Sequence, residues 1–206
     1  MTIKTRWALI FALIAGIGLF ALAVLGIAFR VFVFPVSSAI DAAEWKEVTD
    51  KEHGFQALMP GAPRLEQQNK ETPVGKIELR KFSVYPKDKK ELFMVVSLHF
   101  PEGVGHRLGG REKLLELGRQ DILTASQGQV KTERRFTLNG CPGVEMEVLP
   151  PKGAIIRAQV LATEDQVYEV SVHLPQVRLA SGDVQKFFDS FRVTAQAGAV
   201  ADHHGE

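Results

Sequence analysis

Glu91-Leu92-Phe93-Met94-Val95-Val96-Ser97-Leu98-His99-Phe100 is the stretch that decides the fold. Large apolar side chains fill both alternating sets of this run. A strand built from it has no face to offer water, so it belongs in the middle of a sheet covered on two sides. Pro101-Glu102-Gly103-Val104-Gly105 breaks the run. Beyond the break, Gly110 to Ser126 reads as a helix, with Leu114, Leu115, Gly118, Ile122 and Ala125 on one side at spacings of three and four. Arg111, Glu112, Lys113, Glu116 and Arg119 take much of the rest of that helix, and Gly128 supplies a stop.

Working upstream, Lys76 onward alternates, with Ile77 and Leu79 opposing Lys76, Glu78 and Arg80. The alternation shifts near Phe82, as a bulge or a twist would make it, and Tyr85-Pro86 closes the strand. Arg64 to Asn69 is a short strand, followed by a turn at Thr72-Pro73-Val74-Gly75. Before it, Gly54 to Met59 alternates weakly until Pro60, which has no ladder donor to offer.

Downstream lie hairpin signals. Gln129 to Leu138 runs into Asn139-Gly140, a tight-turn dipeptide, although Cys141-Pro142-Gly143 points to a longer loop. Val144, Met146 and Val148 alternate with Glu145 and Glu147, a carboxylate pair that reads as solvated sheet. Ala154 to Ala162 and Gln166 to Leu174 pair across Thr163-Glu164-Asp165. Ser181 caps a last helix through Ser190, whose stripe of Val184, Phe187, Phe188 and Phe191 must be buried. The expected architecture is α+β: an antiparallel sheet of six to eight strands with helices packed on it.

Ahead of this domain, residues Trp7 to Phe29 carry no charge. As a helix they reach roughly 35 Å, enough for a hydrocarbon core of about 30 Å. The expectation is one N-terminal signal-anchor transmembrane helix within 1–34, a linker over 35–44, the α+β domain over 45–194 and a frayed tail over 195–206. A cleaved leader, cut near Ser37-Ser38-Ala39, is the alternative. Lys4 and Arg6 precede the span, and the positive-inside tendency then makes the remainder extracytoplasmic. That points to single-pass residence in a bacterial inner membrane with a periplasmic domain. Ala8, Ala12 and Gly16 would let a second membrane helix approach closely.

The formal net charge is +1; without the three bases of 1–34 the rest carries 22 bases against 24 acids. Charges so balanced and interspersed give no electrostatic case for nucleic acid. A single cysteine permits no internal disulfide.

The Gly54-Phe55 strand opening that ends in Pro60-Gly61-Ala62-Pro63, the meander after it and the closing Phe187-Phe188-Asp189-Ser190-Phe191 resemble the PsbP-like fold. That fold is an α-β-α sandwich found in an extrinsic photosystem II subunit and in many bacterial exported or lipid-anchored proteins. The resemblance covers about Trp45 to Val193. It implies an accessory or binding domain, often attached to a membrane complex. Cys141 lies far from the amino terminus and cannot be the lipidated first residue of the lipoprotein versions. Photosynthetic function is not carried over.

No catalytic, cofactor or metal motif stands out. His99, His106 and His173, with Glu102, offer zinc-type donors, but their spacing fits no metal motif. Cys141 lacks an evident base to activate it. Gly103-Val104-Gly105 and Gly109-Gly110, with Arg107 and Arg111, invite an anion-loop reading but lack a P-loop ending. Gly103, Gly105, Arg107, Gly110 and Arg111 form the preferred partner-contact surface, because a glycine-rich segment beside a central strand adapts to a partner. The leading functional expectation is a non-enzymatic accessory module, anchored in the bilayer through residues 7–29 and docking on an integral membrane protein or complex, or on a second copy of itself. One alternative is a carrier of a small apolar ligand or lipid between sheet and helix. Another is an enzyme built around His99, Arg107 and His173. No cofactor is expected.

Overall fold

In the computed structural model, which describes residues 45–194 apart from 73 and 87–90, the central run becomes strand β5 (Leu92–His99). On one side β5 pairs with β4 (Gly75–Val84), which pairs with the edge strand β3 (Arg64–Thr72). On the other it pairs with β9 (Gln166–Leu174), followed by β8 (Ile155–Ala162), β7 (Cys141–Leu149) and the second edge, β6 (Gln129–Leu138). All these pairings are antiparallel, giving a seven-stranded sheet in the order β3-β4-β5-β9-β8-β7-β6.

Each face of this sheet has its own cover. One face presents Phe82, Phe93, Val95, Tyr168, Val170 and Val172. Over them lies a small sheet of β1 (Trp45–Asp50), β2 (Phe55–Pro60) and β10 (Arg192–Val193), joined by helix α3 (Gly182–Ser190). Phe55 meets Phe82 edge-on at 5.5 Å, and Phe187 meets Phe93 at 5.3 Å. Each buried ring contributes about 1.5–3 kcal/mol by leaving water. The other face presents Val144, Met146, Val148, Ile156, Ala158 and Val160 to Leu114, Leu115 and Ile122 of helix α2 (Arg111–Ser126). A short helix, α1 (Val104–Leu108), leads into α2. The α+β sandwich expected from sequence is therefore present.

Several local expectations change. The shift at Phe82 is no bulge. The β4 register runs unbroken, and its second half is buried on both faces because both are covered. The bulge lies in β6, between Val130 and Thr132. Asn139-Gly140 is a two-residue hairpin after all: Leu138 pairs with Cys141, with φ of 51° and 76° at the two turn residues. Gly143 belongs to β7, where any Cβ would sit 2.6 Å from the Phe136 ring. Helix α2 ends on Gln127 in the left-handed region at φ 51°, while Gly128 is needed for its close approach to Val148. Ser181 occupies the N-cap of α3, but its hydroxyl makes no capping bond.

The larger correction concerns the membrane. Among the described residues no helix is long and apolar enough to cross a bilayer. The longest, α2, has 16 residues, about 24 Å of helix against a core of about 30 Å. The structure thus supplies no helix to serve as the expected anchor. Single-pass topology, inner-membrane residence, bilayer contact and docking on a membrane complex lose their structural basis with it. Residues 7–29, with Ala8, Ala12 and Gly16, lie outside the described residues, as do the linker and the tail.

Candidate functional site

The glycine-rich segment after β5 is held from within. The carboxylate of Asp165, in the β8–β9 turn, accepts hydrogen bonds from Gly103 N and Gly105 N at 2.9 Å each. These are the amides an anion-binding loop would offer a ligand; here an internal carboxylate takes them. Gly105 is required, because a Cβ there would lie 1.7 Å from the Glu164 carbonyl oxygen. Gly103 sits at φ 72° and Gly110 at φ 81°, conformations that favour glycine. Arg111 pairs with Glu164 at 2.6 Å. Glu102, His106, Arg107, Arg111 and Glu112 project outward from this fixed backbone, all exposed.

The histidines do not gather as the enzyme reading requires. His99 pairs with Gln166 across the β5–β9 ladder, whereas His173 lies seven residues further along β9 and pairs with Leu92. An odd offset puts His173 on the opposite face, roughly 23 Å along the strand. Arg107 is on α1, which Asp165 holds at the opposite end of β9 from His173. His106 is exposed on the same short helix. Cys141 is buried, which pushes its thiol up and away from nucleophilic ionisation. Glu145 is more tightly engaged than a solvated carboxylate. Burial alone would raise its pKa, but hydrogen bonds from Arg157 at 2.9 and 2.7 Å hold it below the usual range.

A cluster that sequence reading missed lies at one end of the face under the small sheet. Cross-strand pairing lines up Glu78, His99 and Gln166, and next to them Arg80, Ser97 and Tyr168. The β1–β2 turn caps these rows with Asp50 and His53. Asp50 accepts from the backbone amides of Glu52 and His53 and takes Arg80 on both oxygens, at 2.9 and 3.0 Å. Arg80 also pairs with Glu52. His53 Nδ1 lies 2.6 Å from Ser97 Oγ. This is the spacing of a serine–histidine nucleophile pair, yet Ser97 is 0% and His53 1% exposed. No substrate carbonyl can reach a hydroxyl sealed there. Burial, the largest influence on His53, lowers its pKa and keeps the ring neutral. In the sequence these residues are scattered polar positions on strands whose pairing partners were unknown.

On the other face, β9 contributes Glu169, Ser171 and His173 beside α2. Ser171 donates to Glu169 at 2.8 Å. Asp121, on α2, is pushed up to about 8 by burial and by the neighbouring Glu169 charge. Burial and the Lys81 charge lower His173 to about 4. Asp121 Oδ1 and His173 Nε2 are buried without hydrogen-bond partners.

Neither a protein-family model nor a curated protein matches this sequence. Among solved structures, the solution structure of cyanobacterial PsbP (CyanoP) from Synechocystis sp. PCC 6803 is similar. The match has a TM-score of 0.50 and 14% identity, covering 77% of this chain and 98% of that one. Identity that low speaks for the fold alone. The likeness agrees with the resemblance read from residues 45–193: the fold is similar to that of PsbP-like proteins.

Proposed function

We propose that this domain is a non-enzymatic protein-docking module that meets its partner through the ledge of residues 103–111. One observation carries the reading: Asp165 fixes the backbone at Gly103 and Gly105 while Glu102, His106, Arg107, Arg111 and Glu112 stay exposed. A segment already ordered before contact loses little conformational entropy on binding, which favours association. Its charges are of both signs, suiting a mixed polar protein surface better than a polyanion. The test is a photo-crosslinking residue placed at Arg107 and, separately, at the remote Arg134 on β6. A discrete protein adduct from position 107, absent from position 134 and suppressed by Arg111→Glu, supports the ledge. Equal labelling from both positions rejects it.

A second reading, a carrier of a small molecule between α2 and the sheet, rests on the unpartnered Asp121 Oδ1 and His173 Nε2. A molecule held there must bring hydrogen-bonding groups to that floor. It is therefore polar at one end, which suits the lipid of the sequence expectation better than the small apolar ligand. Native mass spectrometry of gently purified protein checks this reading through a retained small molecule that Asp121→Ala releases.

A further inference from the structure

Two imidazoles meet at the outer end of the His53 cluster. His53 Nε2 is buried and has no hydrogen-bond partner. The carboxylate of Glu78 stands 3.9 Å from it, beyond hydrogen-bond reach. His99 sits directly across the ladder from Glu78, and its ring centroid is 5.6 Å from that of His53.

Each imidazole already has its Nδ1 engaged. His53 Nδ1 lies 2.6 Å from Ser97 Oγ, and His99 Nδ1 lies 3.0 Å from the Gln166 side-chain amide, whose oxygen accepts from the Tyr168 hydroxyl at 2.5 Å. With Gln166 donating to His99 Nδ1, the hydrogen of the neutral ring sits on Nε2. Ligation at Nε2 takes the other tautomer, in which the Gln166 amide turns over to accept from Nδ1–H. Nε2 is thus the ring nitrogen left for a metal in both histidines.

We propose that His53, His99 and Glu78 bind one divalent transition-metal ion of the zinc class, through the two Nε2 atoms and the Glu78 carboxylate. Two imidazoles and a carboxylate are a donor set zinc and cobalt accept, with a fourth position left for water. Polar partners on the far ring nitrogens are what metal-ligating histidines commonly have. With metal–nitrogen bonds of about 2.0–2.1 Å, two imidazoles on a tetrahedral ion hold their centroids about 5 Å apart, close to the separation here. Among the described residues no three such side chains already converge on an ion, so binding draws two members in toward the fixed His53. Neither is locked in place: His99 is half-buried and held by one side-chain hydrogen bond, to Gln166, and Glu78 is engaged with Lys76 in a surface pair at 2.6 Å. Arg80, which also faces this end, is already paired with Asp50 and Glu52.

The test uses the full chain carrying His203→Ala and His204→Ala, which removes the tail imidazoles as competing ligands. Titration with Co2+ alone is expected to give visible d–d absorption saturating at one ion per chain and bleached by Zn2+. His99→Ala and Glu78→Gln, which leave the buried His53 in place, each weaken Co2+ binding by at least about tenfold with an unchanged far-UV spectrum. Absence of a cobalt spectrum up to about 1 mM, or binding undiminished in the His99→Ala/Glu78→Gln double variant, overturns the site.

Discussion

Replacing Asp121 by asparagine should stabilise this protein, and by an amount that depends on pH in a defined way. The Asp121 carboxyl is raised from its ordinary 3.8 to about 8 in the folded state. It therefore takes up a proton on folding at neutral pH. A group with a raised folded pKa favours the native state fully below its unfolded value and loses that contribution as pH rises through the folded one. At pH 7 the gap from 3.8 corresponds to a ceiling of about 4 kcal/mol, at about 1.4 kcal/mol per unit. Water reaching the partly exposed side chain screens some of this, so the expected gain from Asp121→Asn is about 2 kcal/mol at pH 7. It grows toward pH 8 and vanishes near pH 4.

His173 makes the test sharper. Its folded value is lowered to about 4, so its contribution is present above its unfolded value of about 6.5 and is lost as pH falls from there toward 4. In the native sequence, between pH 4 and 6.5, one proton is taken up at Asp121 on folding and one is released from His173. At these two sites the trends offset, and their joint contribution declines only above that window. In Asp121→Asn the high-pH decline due to Asp121 disappears, leaving the part that comes from Glu169, which burial also raises, and a loss on acidification below pH 6.5 is unmasked. Urea unfolding followed by far-UV circular dichroism at pH 5, 6.5 and 8 reads both changes. If the variant's profile runs parallel to the parent's, or the variant is the less stable at pH 8, the account of this face is wrong.

Phe187→Ala removes a fully buried ring packed edge-on against Phe93; a loss of about 3–5 kcal/mol in urea unfolding is expected. Gly118→Ala should destabilise although alanine favours helices by about 1 kcal/mol. Its Cβ would stand 2.7 Å from Val160 Cγ1 and 2.8 Å from Val167 Cγ1, and overpacking of that kind costs about 1–3 kcal/mol; a rise in melting temperature would contradict this. Asp165→Ala strands the Gly103 and Gly105 amides, so amide hydrogen exchange should quicken there while β5 and β9 keep their protection; unchanged exchange at both glycines would show that the carboxylate does not hold the ledge.

Burial on both faces of Leu92–His99 was legible because both alternating sets are large and apolar, and the Phe187, Phe188, Phe191 stripe allowed only one orientation for the last helix. The small three-stranded sheet was not legible: β10 is two residues long, and its pairing with β2 brings together positions more than a hundred residues apart. Asn139-Gly140 shows local chemistry outweighing composition. The turn dipeptide set a two-residue hairpin, and Pro142 and Gly143 were absorbed into the strand because Phe136 packs over the bare glycine.

The candidate site was hidden for a different reason. Reading along the chain joins His99 to Arg107 and His173, which share a reactive residue type or lie near in sequence. Strand parity and register govern instead. His99 faces with Glu78 and Gln166 because those are its ladder partners, and an offset of seven on β9 is enough to send His173 through the sheet. His53 joins them only because Asp50 folds the β1–β2 turn back onto Arg80. If that clasp orients the site, Asp50→Asn should disturb His53 and His99 together, although His99 belongs to β5 of the large sheet and not to the turn. Imidazole NMR shifts of both rings moving in concert would show it; a change confined to His53 would leave the turn as a local cap and the two imidazoles as independent neighbours.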